Sequence, residues 1–215
     1  MTRPLTVDFF HDVVCCWCFN ISSRLRTLAA EVDLDIRHRT FVLQASPAEM
    51  AERWGSAAEA RTTILGHWSA CREVSDRPEL VDIAAMARAP FDYPHGMTAA
   101  RACKAAERIG GQAAHWDMFD RLQHAHLALA RNVADPQVLA EAARDIGLEP
   151  GAYARAFADP ATARAVEADR QHARRLQVRA IPALVVRETG TRLVNGPVHD
   201  LRAQLRSAAR LLPQM

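Results

Sequence analysis

The stretch HDVVCCWCF, His11 to Phe19, places three cysteines within four positions. Cys15 and Cys18 form a C-x-x-C pair, and Cys16 stands between them beside Trp17. A cluster of this kind is typical of a metal clip, a structural disulfide or a redox-active thiol pair. The sequence on either side of the cluster helps to decide among these alternatives.

Hydrophobic periodicity predicts a strand, a helix and a second strand around the cluster. LTVDFF at 5–10 predicts a buried strand, and apolar residues spaced three and four apart from Cys18 onward predict a helix. LDIRHRTFVL at 34–43 alternates apolar and polar residues before an apolar end, which predicts another strand. Such a β-α-β unit builds a parallel pair of strands. The cysteines therefore lie where the first strand leads into the first helix.

The rest of the chain extends this order to β-α-β, a long all-helical insert, then β-β-α. From about residue 48 to 175 the sequence is alanine-rich and predicts helices separated by short breaks. Asp135 and Asp159, each just before a proline, are predicted helix N-caps. After the insert the sequence predicts a two-stranded hairpin and an amphipathic helix, at 180–186, 191–196 and 198–212.

The position of the cysteines favours redox chemistry. The partial positive charge and free N–H groups at a helix N-terminus favour a thiolate, and a cysteine there can have a pKa of roughly 3.5–7.5. We therefore expect Cys15 to be the exposed, attacking sulfur. Cys18, three residues on along the same helix face, is close enough to form a disulfide with it. Cys16 faces elsewhere, and its bond to Cys15 is disfavoured because adjacent Cα atoms are only about 3.8 Å apart.

A metal site at the cluster is less consistent with the sequence. Structural zinc takes about four converging ligands, and three cysteines with His11 on one tight turn surround a single ion poorly. Cys71 and Cys103 stand alone in alanine-rich segments and are predicted to be buried small hydrophobic residues. His124 and His126 are predicted to lie on different helix faces. We therefore predict no metal ligands and keep a non-catalytic thiol binder of metal or metalloid as an alternative.

Composition narrows the partners and the compartment. The 215 residues are 49% hydrophobic and 24% charged, and the net charge of +2 gives no case for nucleic acid or a membrane surface. No stretch reaches the roughly 18 apolar residues of a membrane span, and MTRPLTVDFFHDVV lacks the apolar run of a secretory signal. Five cysteines, an odd number, do not suggest a secreted disulfide framework. We expect a cytoplasmic protein that binds neither nucleic acid nor membranes.

Four segments resemble the FrnE-like branch of the DsbA family. DVVCCWCF resembles its D-x-V-C-P-W-C-[YF] signature, and FVLQASP, RNVADPQVLAEAARDIGLEPGAY and RRLQVRAIPALVV resemble further family segments in the same order. The resemblance implies an α/β, thioredoxin-like fold made of residues 1–46 and 176–215. Residues 47–175 would form a helical insert whose last helix returns to the sheet. The implied activity is thiol-disulfide exchange through a mixed disulfide, on a disulfide-containing protein or a small thiol. No tightly bound cofactor is implied, and glutathione is a candidate co-substrate.

The resemblance also assigns roles by position. It makes Cys15 the nucleophile, Cys18 the resolving thiol and Pro182 a cis-proline that faces them. It implies that the backbone of Ile181 is free to pair with a substrate strand. Asp12 matches the aspartate of the signature, and two roles stay open for it: proton transfer at the thiols, or capping of the helix.

Two departures from the family pattern limit what the resemblance implies. Cys16 replaces a proline that would fix φ and remove an N–H, so the redox direction is not inherited. Arg179 and Ala180 replace the x-G of the family pattern. Trp17, which matches the signature, is expected to form a lip around the thiols.

Kappa-class glutathione transferases and 2-hydroxychromene-2-carboxylate isomerases share the fold but have serine in place of Cys15. A glutathione-dependent isomerase or transferase is therefore kept as an alternative.

Overall fold

The computed structural model describes residues 5–212. Within them, four strands form one mixed sheet in the order β2-β1-β3-β4. β1 runs parallel to β2, with Leu5 opposite Leu34, and antiparallel to β3, which in turn pairs antiparallel with β4. The predicted β-α-β opening and the later hairpin are confirmed. The strands are β1 (Leu5–His11), β2 (Leu34–Thr40), β3 (Ala183–Val186) and β4 (Arg192–Leu193).

Helices cover the sheet and fill the connection between β2 and β3. α1 (Cys16–Glu31) joins β1 to β2, and α9 (Val198–Arg210) follows β4. The predicted caps are confirmed, because the side chains of Asp135 and Asp159 accept hydrogen bonds from the first turns of their helices. The helices of the long connection are α2 (Pro47–Trp54), α3 (Ala57–Glu73), α4 (Ile83–Ala87), α5 (Met97–Leu127), α6 (Pro136–Asp145), α7 (Pro150–Ala158) and α8 (Pro160–Arg175).

Several boundaries differ from the sequence prediction. β2 ends at Thr40 rather than Leu43. Val42 has a φ of 62°, which a β-branched residue rarely adopts and which is incompatible with an extended strand. β3 begins at Ala183, after Pro182, which has no N–H to offer a strand ladder. β4 is shorter than the predicted 191–196.

The sheet and the connecting helices share one apolar core. Phe9 of β1 and Leu25 of α1 are fully buried in the same cluster as Met118, Phe119 and Leu122 of α5. Burial of each such side chain contributes about 1.5–3 kcal/mol. α5 therefore fixes the connection against the β1–α1 unit on which the cysteines lie. The division into residues 1–46 with 176–215, and residues 47–175, stays a prediction. Among the helices of residues 5–212, none has the length and apolar character needed to cross a bilayer.

Candidate active site

The cysteine cluster lies at the junction of β1 and α1, as predicted. Cys15 occupies the N-cap position of α1 in an extended conformation, with φ −93° and ψ 108°. Its N–H donates to the carbonyl of Asp12, and the Cys18 N–H donates to the Cys15 carbonyl, both at 3.1 Å. The turn brings the Cys15 and Cys18 thiols close together, and all five cysteines are free.

The two thiols of the C-x-x-C pair differ in accessibility. Cys15 is 7% exposed and Cys18 is fully buried. The expectation of an exposed Cys15 is therefore corrected, since the motif is packed against the helices of the long connection and Cys15 is only the more accessible member. Burial raises the pKa of Cys18 well above its ordinary value, and the hydrogen bond with Cys15 raises it further. In the reduced protein Cys18 is thus a protonated thiol.

Side chains from the long connection hold the backbone of the motif. Gln123 of α5 donates from Nε2 to the carbonyls of Val13, at 3.1 Å, and Cys15, at 2.9 Å. The Tyr93 hydroxyl donates to the Val14 carbonyl at 3.0 Å. A buried carbonyl without a donor would cost about 1–3 kcal/mol, so these bonds stabilise the loop. Neither residue was predictable from the sequence, because no local pattern links a glutamine 108 positions away to the motif.

Tyr93 is itself fixed by two buried side chains. Trp68 donates from Nε1 to its oxygen at 3.1 Å, and His126 Nε2 lies 2.9 Å away. Because the single Tyr93 proton is donated to Val14, His126 Nε2 must carry a proton and donate it to Tyr93. His126 is buried whereas His124 is partly exposed beside Arg121, which confirms that the two imidazoles occupy different helix faces.

Asp12 is buried below the thiol pair. Its carboxylate accepts hydrogen bonds from the N–H groups of Leu43, at 2.7 Å, and Val14, at 3.3 Å. Burial raises the pKa of Asp12 to about 6, although these backbone N–H groups act in the opposite direction. Neither bond goes to an N–H of α1, so the carboxylate does not cap that helix through them. Gly96 lies against the same carboxylate, and a Cβ at this position would collide with it.

The Cys16 thiol faces α3 rather than the redox pair. It donates to the His67 carbonyl at 3.8 Å, and interaction with the nearby Cys71 thiol, together with burial, raises the pKa of Cys16. The same interaction lowers the pKa of Cys71, whose sulfur also accepts from Asn20 Nδ2 at 3.3 Å. Cys71 and Cys103 are fully buried as predicted. Cys71, however, belongs to a polar contact with the motif rather than to a purely apolar environment.

A groove of about 620 Å³ opens beside the motif. Trp17, 37% exposed, stands on one side of it, and Ile181 and Pro182, joined by a cis peptide bond, stand on another. Within residues 5–212, neither the N–H nor the C=O of Ile181 bonds to another protein group. The remaining lining residues are Asn20, Ile21, Arg24, Val74, Asn195, Gly196 and Pro197. Contact between Pro182 and the thiols stays a prediction.

A C-x-x-C pair at the start of the first helix of this sheet defines a thioredoxin-like dithiol protein. The sequence matches the family described as DSBA-like thioredoxin domain over residues 6–206. The chain belongs to this family, which is a family of thiol-disulfide oxidoreductases. The resemblance to the DsbA family and the thioredoxin-like α/β fold are thereby confirmed.

Three similar proteins illustrate the range of the family. The ClpXP adapter protein SpxH of Shouchella clausii is 26% identical over 185 residues, which are 85% of this chain and 58% of that protein. A candidate protein disulfide isomerase from Nitrosomonas europaea has a similar structure, with a TM-score of 0.79, 19% identity, and coverage of 97% and 98% of the two chains. The cytosolic disulfide reductase DsbM from Pseudomonas aeruginosa has a TM-score of 0.75 and 22% identity, covering 97% and 100%. A second DsbM structure contains GSH, with a TM-score of 0.72, 23% identity, and coverage of 96% and 100%.

Proposed function

We propose that the protein exchanges thiols and disulfides through Cys15 and Cys18. The observation that carries the proposal is the closeness of these two thiols at the N-terminus of α1. The helix dipole and the free N–H groups of this turn favour a thiolate at its first residues. Cys15, the more accessible sulfur, is therefore the nucleophile, and the buried Cys18 resolves the intermediate.

The reaction proceeds in two balanced exchange steps. The Cys15 thiolate attacks one sulfur of a substrate disulfide, the substrate S–S bond breaks as the mixed disulfide forms, and the departing thiolate takes up a proton. Cys18 then loses its proton and attacks the Cys15 sulfur, which forms the Cys15–Cys18 disulfide and releases the second substrate thiol. Because burial holds the pKa of Cys18 high, this step needs a base. The Asp12 carboxylate lies near enough to Cys18 to raise its pKa, and the Asp12 pKa of about 6 suits it to accept the proton.

The groove beside Trp17 is the proposed substrate site. An extended peptide there would find the unpaired N–H and C=O of Ile181, which can bind a strand by main-chain hydrogen bonds. Asn195 donates from Nδ2 to the Pro182 carbonyl at 2.7 Å and so holds this loop in place. Substrates of this kind are disulfide-containing proteins or small disulfides.

Glutathione is the proposed electron donor, and reduction in the cytoplasm the proposed direction. Two glutathione molecules would return the Cys15–Cys18 disulfide to dithiol and leave as one glutathione disulfide. The similarity to DsbM, which is described as a cytosolic disulfide reductase and was solved with GSH, supports this proposal. Cell fractionation tests the compartment, and recovery of the protein from a membrane or exported fraction would contradict it.

Reduction of insulin disulfides by glutathione tests the proposed chemistry. Cys15→Ser should abolish activity, whereas Cys18→Ser should accumulate a mixed disulfide through Cys15 that mass mapping detects. Cys103→Ala, at a buried thiol in α5, is the matched control and should reduce insulin at the parental rate. A Cys15→Ser protein with parental activity would show that the nucleophile is wrongly assigned.

The same variants separate the alternative functions. A glutathione-dependent isomerase or transferase would bind glutathione without a covalent bond and keep its activity after Cys18→Ser. A thiol binder of metal or metalloid would hold a stoichiometric ion that competes with alkylation of Cys15 and Cys18. Neither result is expected, because the closeness of two free thiols suits exchange between them.

A further inference from the structure

Three buried histidines from separate elements meet at the end of β1. They are His11 of β1, His38 of β2 and His115 of α5, with exposed fractions of 1%, 0% and 0%. One ring nitrogen of each lies within 4.8 Å of those of the other two. The three ring centroids are 5.0 to 5.2 Å apart. This histidine cluster plays no part in the proposed thiol chemistry, and the sequence predicted no metal ligands here.

The hydrogen bonds of the histidine cluster leave lone pairs available. His115 Nδ1 lies 2.7 Å from a carboxylate oxygen of Glu107, so Nδ1 carries the proton and Nε2 presents a lone pair. Within residues 5–212, that Nε2 atom has no hydrogen-bond partner. His38 Nδ1 and His11 Nε2 are 3.2 Å apart, and their remaining nitrogens are also unpartnered. Buried polar nitrogens without partners are rare in native proteins, so the unpartnered Nε2 of His115 points to a ligand.

The spacing of the cluster fits one tetrahedral ion. Zinc binds imidazole nitrogen at about 2.0–2.1 Å, which places two ligand nitrogens about 3.3 Å apart and their ring centroids about 5 Å apart. His38 Nδ1 and His11 Nε2 already have this separation, as do the three centroids. Separations of up to 4.8 Å elsewhere in the set mean that the rings must rotate to close around one ion.

The groups around the cluster are those that support a metal-binding histidine. A ligand histidine usually donates its other N–H to a carboxylate, as His115 does to Glu107. Glu107 is held in turn by Gln112 Nε2 at 2.9 Å and Lys104 Nζ at 2.6 Å. The Lys104 ammonium also lies 2.6 Å from Asp169, so two carboxylates balance its charge beside the site.

We propose that His11, His38 and His115 bind one divalent transition-metal ion of the zinc type. Imidazole ligands suit zinc, copper and nickel, whereas magnesium and calcium require oxygen. The ion would tie β1 and β2 to α5, with a water molecule in the fourth position. Since His11 directly precedes Asp12, the ion would also stiffen the base of the active-site loop. Its role would be separate from the exchange of thiols.

Metal content after refolding tests the proposal, because the buried site fills during folding. Reduced protein is unfolded with a chelator, exchanged, refolded with Zn²⁺ or Co²⁺ and freed of excess metal. One Zn²⁺ per chain by elemental analysis is expected, with a higher Tm than protein refolded without metal. Co²⁺ should give the visible absorption of a tetrahedral nitrogen site, without the sulfur-to-cobalt charge-transfer band that cysteine ligands produce.

Two histidine variants complete the test. His115→Gln should lose the bound ion and the rise in Tm, whereas His199→Gln, at an exposed position in α9, should keep both. If His115→Gln does not refold, the Co²⁺ spectrum of the parent protein still decides the matter. Substoichiometric metal, a cysteine charge-transfer band, or undiminished binding by His115→Gln would each overturn the proposal and leave a packed, neutral histidine cluster. Insulin reduction is measured separately, so either proposal can fail without the other.

Discussion

Asp12→Asn isolates the effect of the charge buried below the thiol pair. Burial raises the pKa of Asp12 from its ordinary 3.8 to about 6. Between these two pH values the folded protein keeps a proton that the unfolded chain has released. The free energy of unfolding therefore falls as pH rises through this window and stays lower above it. Asparagine does not ionise, so the variant should not show this fall.

The size of the effect follows from the shift and from two hydrogen bonds. A shift of about two pKa units corresponds to about 3 kcal/mol between the protonated and ionised forms. Asparagine has one side-chain oxygen for the N–H groups of Leu43 and Val14, so one of them loses its acceptor, at a cost of about 1–3 kcal/mol. This cost is the same at every pH. The difference in stability between variant and parent should thus shift by about 3 kcal/mol in favour of asparagine between about pH 4 and about pH 7.

Urea unfolding of the reduced proteins across this pH range measures the difference directly. Asp33→Asn, at an exposed position between α1 and β2, is the control and should follow the parent at each pH. A second readout is the alkylation of Cys18, whose pKa should fall when the neighbouring Asp12 charge is removed. A stability difference that stays constant within about 0.5 kcal/mol from about pH 4 to about pH 7 would refute a buried carboxyl with a raised pKa.

Three further variants test the surroundings of the motif. Gly96→Ala should destabilise the protein by about 1–3 kcal/mol in urea unfolding, because its Cβ collides with the Asp12 carboxylate, and parental stability would contradict this packing. Gln123→Leu removes the donor for two buried carbonyls, so it should lower the free energy of unfolding by about 1–3 kcal/mol and also lower the rate of insulin reduction. An unchanged rate would show that these two hydrogen bonds do not contribute to activity. Cys16→Pro should keep disulfide exchange, since proline suits the first position of a helix, but should shift the reduction potential measured against glutathione, where about 30 mV corresponds to about 1.4 kcal/mol. A disulfide through Cys16 as the main oxidised form of the parent would contradict the last prediction.

The parts of the fold that were predictable depend on neighbours in sequence. The β-α-β opening follows from apolar spacing, and the caps at Asp135 and Asp159 follow from an aspartate followed by proline. The end of β2 was not predictable in this way. LDIRHRTFVL continues apolar to Leu43, yet the Leu43 N–H bonds to Asp12, which lies 31 residues earlier, and Val42 takes a positive φ beside it. A contact between two distant segments therefore overrides the local preference for a strand.

The candidate site also has a part that was predictable from the sequence and a part that was not. The C-x-x-C pair can be read from four consecutive residues, and its place at a helix N-terminus from the apolar spacing of the residues that flank it; the structure places both cysteines there. Tyr93, Gln123 and His115 carry no local signal, since each acts through a bond to a residue that is distant in sequence. A tyrosine between two helices, and a glutamine and a histidine in an alanine-rich helix, look like ordinary polar residues until packing shows what they face.

One feature of Cys16 was predictable from the sequence, and another depends on the tertiary packing. Helix geometry alone excludes a partner one or two residues away, so its turn away from Cys18 was predictable. Its actual partner depends on α3 packing against α1, which brings Cys71 and the Asn20 amide to the same point. At the first residue of the active-site helix, where the family pattern has a rigid proline, the protein thus has a thiol held by contacts with α3. Because α3 thus contacts the residue that adjoins the nucleophile, we expect a change in α3 to alter the redox pair without a change at Cys15 or Cys18.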